Sequence, residues 1–231
     1  MLRPGKFEIT DKAMKICKIK KGGKVLEIGC GNGDTTEHLE KEYEYDVSAI
    51  DLDLDMISKA KARGLKANIK YGDGEFLEDF TSLSFDGVVI ECVLSLINLP
   101  DEALHEVWCI LKKGGKLFIS DLYIKKPEKK LIEEVKMAAE KQAKTPHEDG
   151  SCSDDCAEDH KERIVEFRHE GRFLLAQLEE FLESIGFTVT YTEDRSKDLD
   201  NYVAEKIMNG ETMEEGKKGT GYFMLIAEKT E

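Results

Sequence analysis

Apolar residues follow two rhythms along the first 125 positions, and the rhythm changes at glycines. Residues 24–29, 46–51, 68–72, 85–91 and 116–122 are short, largely apolar runs of strand length. Runs of this kind suit strands buried on both faces of a parallel sheet. Between them lie segments with apolar residues three or four apart. The first covers 10–20, with Ala13, Ile16, Cys17 and Ile19 on one stripe and Thr10 as cap. Others cover 34–42, 54–63 and 100–112, the last two stopped by Gly64 and by Gly114 with Gly115. Strands alternating with helices at this spacing predict a doubly wound, Rossmann-like α/β sheet with helices on both faces. The second half is less regular. It reads as a charged helix at 128–144, a well-patterned helix from Phe173 to Ile185, a strand at 187–192, a helix at 195–209 and a last strand at 221–228. Residues 1–231 are thus expected to form a single domain. It carries an acidic insertion at about 145–162 and an extra helix at about 195–209.

Candidate chemistry gathers at the ends of the first three strands. The first runs into Gly29-x-Gly31-x-Gly33, with Glu27 two residues before the first glycine. A glycine turn between a strand and a helix N-terminus is a nucleotide-type binding site. The spacing is not that of the dinucleotide fingerprint, and Asp34 follows at once, where a carboxylate would repel a pyrophosphate. Asp34 or Thr35 is expected to cap the helix, with Glu37 completing a capping box. Glu27 suits a cationic or amino-bearing ligand. Asp51 ends the second strand and is followed by Leu52. A carboxylate there, about 20 residues past the glycines, is the usual acceptor for ribose hydroxyls. Asp73 and Gly74 close the third strand, where a carboxylate can accept from an exocyclic amine.

Charge narrows the partners. The chain has 48 acidic and 34 basic residues, a net charge of −14. That balance disfavours nucleic acid and an anionic membrane surface. No apolar run reaches membrane-spanning length, and Met1 to Gly5 has no apolar signal core. Six cysteines without a secretion signal point to reduced thiols and a cytoplasmic location.

The loop after the fourth strand, Glu91 to Asn98, holds no His, Lys or Tyr that could serve as a base. Cys92 is either a small buried hydrophobe or a reacting thiol. The segment 147–160 contains His147, Cys152, Cys156 and His160 among many acids. Cys152, Cys156 and His160 are candidate metal ligands, though their spacing matches no common zinc signature. The competing readings are an acidic lid with incidental thiols, or thiols that reach the active site. Cys109, Trp108, Phe173 and Phe181 are expected to pack in the core.

The ordered set Glu27 to Gly33, Ile50 with Asp51, Gly72 with Asp73, Phe85 to Val89 and Leu111 to Leu117 resembles the motifs of class I S-adenosylmethionine-dependent methyltransferases. The resemblance covers roughly residues 1–125. It implies a seven-stranded sheet with the last strand antiparallel and S-adenosylmethionine at the switch point. Glu27, Gly29, Gly31, Gly33 and Glu91 would hold the methionine end, Asp51 the ribose and Asp73 the adenine, with Leu52 and Gly74 as further cofactor-binding residues. The stretch Glu91 to Leu96, with Ser120 and Asp121, is similar in part to arsenite methyltransferases. That similarity implies that Cys92, with Cys152 or Cys156, holds arsenic. Glu91 and Ser95 depart from that family, which has asparagine at both places. Leu2 to Gly5, Glu91 to Leu96 and Gly221 to Ala227 together look closer to an uncharacterised bacterial and archaeal methyltransferase subgroup. The expected function is methyl transfer to a small-molecule acceptor, with a thiol or trivalent arsenic as the soft-nucleophile version and Cys92, Cys152 and Cys156 as its catalytic residues. The alternative is a methyltransferase-fold protein that senses metals or thiols through 147–160. The oligomeric state stays open.

Overall fold

The computed structural model describes residues 3–144, 163–211 and 217–230. Its strands are β1 (Lys24–Ile28), β2 (Asp46–Asp51), β3 (Asn68–Tyr71), β4 (Phe85–Glu91), β5 (Leu111–Ile124), β6 (Arg168–His169), β7 (Arg172–Phe173), β8 (Phe187–Asp194) and β9 (Thr220–Lys229). The main sheet runs β3-β2-β1-β4-β5-β9-β8, with β9 antiparallel to both neighbours and the other pairs parallel. The chain moves outward from β1 through β2 to β3, then returns to β4 on the other side. The switch point therefore lies between β1 and β4, where ligands bind in sheets of this kind.

Helices α1 (Lys6–Cys17) and α2 (Asp34–Tyr43) cover one face. Ile9, Ala13, Met14 and Leu39 pack there on Val25, Val89, Phe118 and Met224. Helices α4 (Pro100–Ile110) and α6 (Leu175–Ser184) cover the other, with Leu104, Val107, Leu178 and Leu182 on Val88, Ile90, Leu117 and Leu225. Val88 and Ile90 face one layer and Val89 the other, because side chains alternate along a strand. Each fully buried aliphatic chain contributes about 1.5–3 kcal/mol. Helix α3 (Leu54–Lys61) packs on β2 and β3, and α7 (Ser196–Met208) on β9. Helix α5 (Lys129–Lys144) brings Val135 against Ile124 and Leu174. No described helix is long and apolar enough to cross a membrane.

Several local expectations are corrected. The lead helix starts at Lys6, so Thr10 is an interior residue, and its hydroxyl turns into the protein. The capping box at Asp34 does not form. Gly33 is the N-cap with a left-handed backbone, φ 83°, and Asp34 and Glu37 instead both pair with Arg63. Phe173 belongs to a strand rather than a helix. Cys109 is exposed, because the buried stripe of α4 runs through Leu104, Val107 and Ile110 and leaves residue 109 outside it.

The hairpin of β6 and β7 is an element with no sequence signal. Strand β4 ends at Glu91, opposite Ser120 of β5. Three residues on, Tyr123 of β5 pairs with Phe173 of β7 while its other edge pairs with Gly221. The hairpin thus occupies the edge of β5 that β4 vacates, beside the loop that leaves β4.

Candidate functional site

The carboxyl ends of β1, β2 and β4 meet at the glycine turn. Gly29, Gly31 and Gly33 all have positive φ. A Cβ on Gly29 would overlap the side chain of Val93, so the turn and the loop after β4 are packed directly together. Cys92 also has a positive φ, 59°, uncommon for a residue with a side chain. It turns the chain off β4 so that Val93 falls back onto Gly29.

Asp51 ties the glycine turn to β2. Its Oδ2 accepts from the Gly31 N–H at 2.7 Å, and its Oδ1 accepts from the Asp53 N–H at 2.9 Å. Leu52, Tyr71 and Phe76 at the neighbouring strand tips are all more than half exposed, an uncommon position for three large apolar side chains together. Asp73 Oδ1 accepts from the Glu75 N–H at 3.0 Å. Glu75 in turn accepts from the N–H groups of Asn98 and Leu99, which links this turn to the loop after β4.

Two buried carboxyls sit at the inner end. Glu27 accepts from the Thr36 hydroxyl, and Glu91 accepts from Thr10 at 3.0 Å and Thr35 at 3.2 Å. Arg3 Nη2 lies 3.2 Å from Glu91 Oε2. Burial pushes the Glu27 carboxyl up to about 8, and the neighbouring charges of Glu91 and Asp51 add to the effect. Burial raises the Glu91 carboxyl as well. Two acids of this kind favour a cation beside them. The sign for stability follows. Glu27 holds its proton more tightly when folded, so its contribution is intact below about 4.5 and is lost as pH rises toward about 8. Glu27→Gln should therefore flatten the fall of unfolding free energy over that window, read from denaturant titrations at several pH values. An unchanged slope would mean that Glu27 ionises normally.

The structure brings to the loop after β4 two groups that a scan of the loop alone misses. The Cys92 thiol lies 2.9 Å from the Tyr222 hydroxyl, which donates to Ser120 at 2.9 Å. Burial pushes the thiol up to about 12 and raises the Tyr222 phenol, so both are protonated at neutral pH. Asp121, on β5, is buried and grips Ser95: Oδ1 accepts the hydroxyl at 2.8 Å and Oδ2 the N–H at 2.9 Å. Burial raises its carboxyl to about 6, against those hydrogen bonds and the Arg168 charge. From β6, Arg168 donates to the carbonyls of Ile97 and of Asn98, the latter at 3.1 Å. Cys152, Cys156 and His160 lie outside the described residues, as does His147. Among the described residues no cluster of three metal-ligating side chains occurs.

Residues 26–119 match a family of sequences described as a methyltransferase domain. An arsenite methyltransferase of Aquipseudomonas alcaligenes is 40% identical over 62 residues, 25% of this chain and 18% of that protein. An uncharacterised methyltransferase of Alkaliphilus oremlandii is 33% identical over 114 residues, 48% of this chain and 51% of that protein. The chain thus spans about half or less of these curated relatives. Phosphoethanolamine N-methyltransferase 2 of Haemonchus contortus, solved with S-adenosyl-L-methionine, shares the fold with a TM-score of 0.68 at 18% identity. That match covers 100% of this chain and 54% of the other. The donor set here fits that cofactor's chemistry: acids for an amino group, a strand-tip carboxylate for hydroxyls, and exposed apolar side chains for a flat ring.

Proposed function

We propose that this protein transfers a methyl group from S-adenosylmethionine to a small-molecule acceptor, a reading supported by the match of residues 26–119 to sequences described as a methyltransferase domain. One observation carries the reading. Asp51 bonds the Gly31 N–H at the same sheet edge that holds the buried acids Glu27 and Glu91. Bound there, the cofactor supplies an electrophilic methyl on a sulfonium whose leaving group is a neutral thioether. In this reading Glu27, Glu91 and the glycine turn hold the amino-acid end. Asp51 takes the ribose hydroxyls. Leu52 and Tyr71 flank the adenine, and Asp73 with Gly74 closes its edge. The chain's remaining task is to position the acceptor and exclude water. The loop from Cys92 to Asn98, held by Asp121 and Arg168, is the wall that does this.

The finer reading is a soft acceptor, a thiol or trivalent arsenic. The arsenite methyltransferase match and the thiols of Cys92, Cys152 and Cys156 support it. The protonated state of Cys92 weighs against it, since a thiol must lose its proton to bind arsenic or metal. A panel experiment separates the outcomes. Labelled S-adenosylmethionine is incubated with arsenite, selenite, thiols, amines and carboxylates. Transfer to arsenite or a thiol that Cys92→Ser abolishes, with cofactor affinity kept, supports the soft acceptor. Transfer to an amine or carboxylate rejects it and keeps the methyltransferase. A protein that binds no S-adenosylmethionine by calorimetry is not one.

A further inference from the structure

Arg3 stands just before α1 and is 5% exposed. Its Nη2 donates to Thr10 Oγ1 at 2.7 Å and lies 3.2 Å from Glu91 Oε2. The guanidinium also lies over the Phe7 ring, 5.1 Å from its centroid. Together with Asp34, His38 and Arg63, Arg3 also lines a cavity of about 480 Å³ beside the first turns of α1 and α2. A buried ion pair is an expensive way to join a helix to a strand, because both charges lose their hydration. This pair sits at the tip of β4, beside the first turn of α2, whose Thr35 also donates to Glu91.

A ligand with an ammonium and a carboxylate on one carbon matches such a pair. Its two charges go to opposite members and add no net charge to the buried site. The helix N-terminus favours the same carboxylate. Of the acids that line the cavity, Asp34 and Glu37 are both paired with Arg63.

Resting on the cofactor assignment above, we propose that Arg3 is a cofactor-binding residue that takes the α-carboxylate of S-adenosylmethionine, while Glu91 takes the ammonium. The pair then reads the zwitterion, and the N-terminal segment becomes part of the cofactor site rather than a covering for it. It follows that the protein discriminates S-adenosylmethionine from its decarboxylated form, which keeps the amine and the sulfonium and lacks only the group assigned to Arg3.

Calorimetric titration of both compounds into the wild-type protein, Arg3→Gln and Arg3→Lys tests this, with circular dichroism reporting the fold of each variant. The wild type should prefer S-adenosylmethionine by roughly 10-fold or more, the scale of a charge-assisted hydrogen bond. Arg3→Gln should bring the two affinities to within about 2-fold of each other by weakening only the carboxylate-bearing compound. Arg3→Lys should restore part of the preference. The proposal is overturned if Arg3→Gln weakens both compounds equally, which is the signature of a residue that only scaffolds Glu91 and α1. It is also overturned if the wild type shows no preference. A wild-type protein that binds neither compound overturns the cofactor assignment itself.

Discussion

Asp51→Ala should weaken S-adenosylmethionine binding by about 1–3 kcal/mol, roughly 5- to 150-fold in Kd. The carboxylate has two tasks in the proposed complex. It accepts ribose hydroxyls, and through Oδ2 it holds the Gly31 N–H at 2.7 Å, which shapes the turn on which the methionine end rests. Truncation removes both. The fold should tolerate the change, because Asp51 lies at a strand tip and is half-buried, so the Gly31 and Asp53 N–H groups can turn to water. Asp51→Asn keeps the size and one acceptor oxygen, and its affinity should fall between the two. Calorimetry on the three proteins, with thermal unfolding alongside, checks the assignment. An alanine variant that binds as the wild type does would remove Asp51 from the site.

Arg168→Met should lower stability by about 3 kcal/mol or more and abolish methyl transfer while leaving cofactor affinity near the wild-type value. The buried guanidinium donates to the carbonyls of Ile97 and Asn98 in the loop after β4, and to the carbonyl of Arg163 at 3.3 Å. Each carbonyl left without a donor in the interior costs about 1–3 kcal/mol, and methionine fills the volume without satisfying any of them. For a chain of this length about 3 kcal/mol lowers Tm by roughly 6–12 °C. Lysine should not rescue the loss, because one ammonium cannot fork over several carbonyls. The Arg168 charge also holds the Asp121 carboxyl down, so its removal lets that carboxyl rise further above about 6. Calorimetric unfolding and cofactor titration of the same variant separate the two effects. Parallel losses of stability and of cofactor affinity would show that the loop and the cofactor site are one unit.

The difference between these two residues is a difference in what a chain shows of itself. Asp51 is legible because the signals around it are local. A largely apolar run ends there, a glycine turn lies 20 residues before it, and Leu52 begins the next segment. Glu27, Asp73 and the strand at 85–91 are legible for the same reason. Arg168 carries no such sign. It sits in a two-residue strand without periodicity, and the loop carbonyls it holds, those of Ile97 and Asn98, lie about 70 residues earlier. The loop after β4 holds no His, Lys or Tyr, and the titratable groups that meet it come from other elements. Asp121 reaches Ser95 from 26 residues away, and Tyr222 reaches Cys92 from 130.

The sequence by itself determined the strand and helix rhythm, the order of the parallel strands' motifs, the glycine turn and the acids at the strand tips. These depend on side-chain period, on the backbone freedom of glycine and on charge placed within a few residues of a turn. Only the tertiary structure decided what each polar group meets: Thr10 and Arg3 on Glu91, Asp34 on Arg63, Asp121 on Ser95, Cys92 on Tyr222, and the hairpin of β6 and β7 on the free edge of β5. The reason is physical. A buried polar group must find a partner, and the partner is whatever the packed layers bring within about 3 Å, at any distance along the chain.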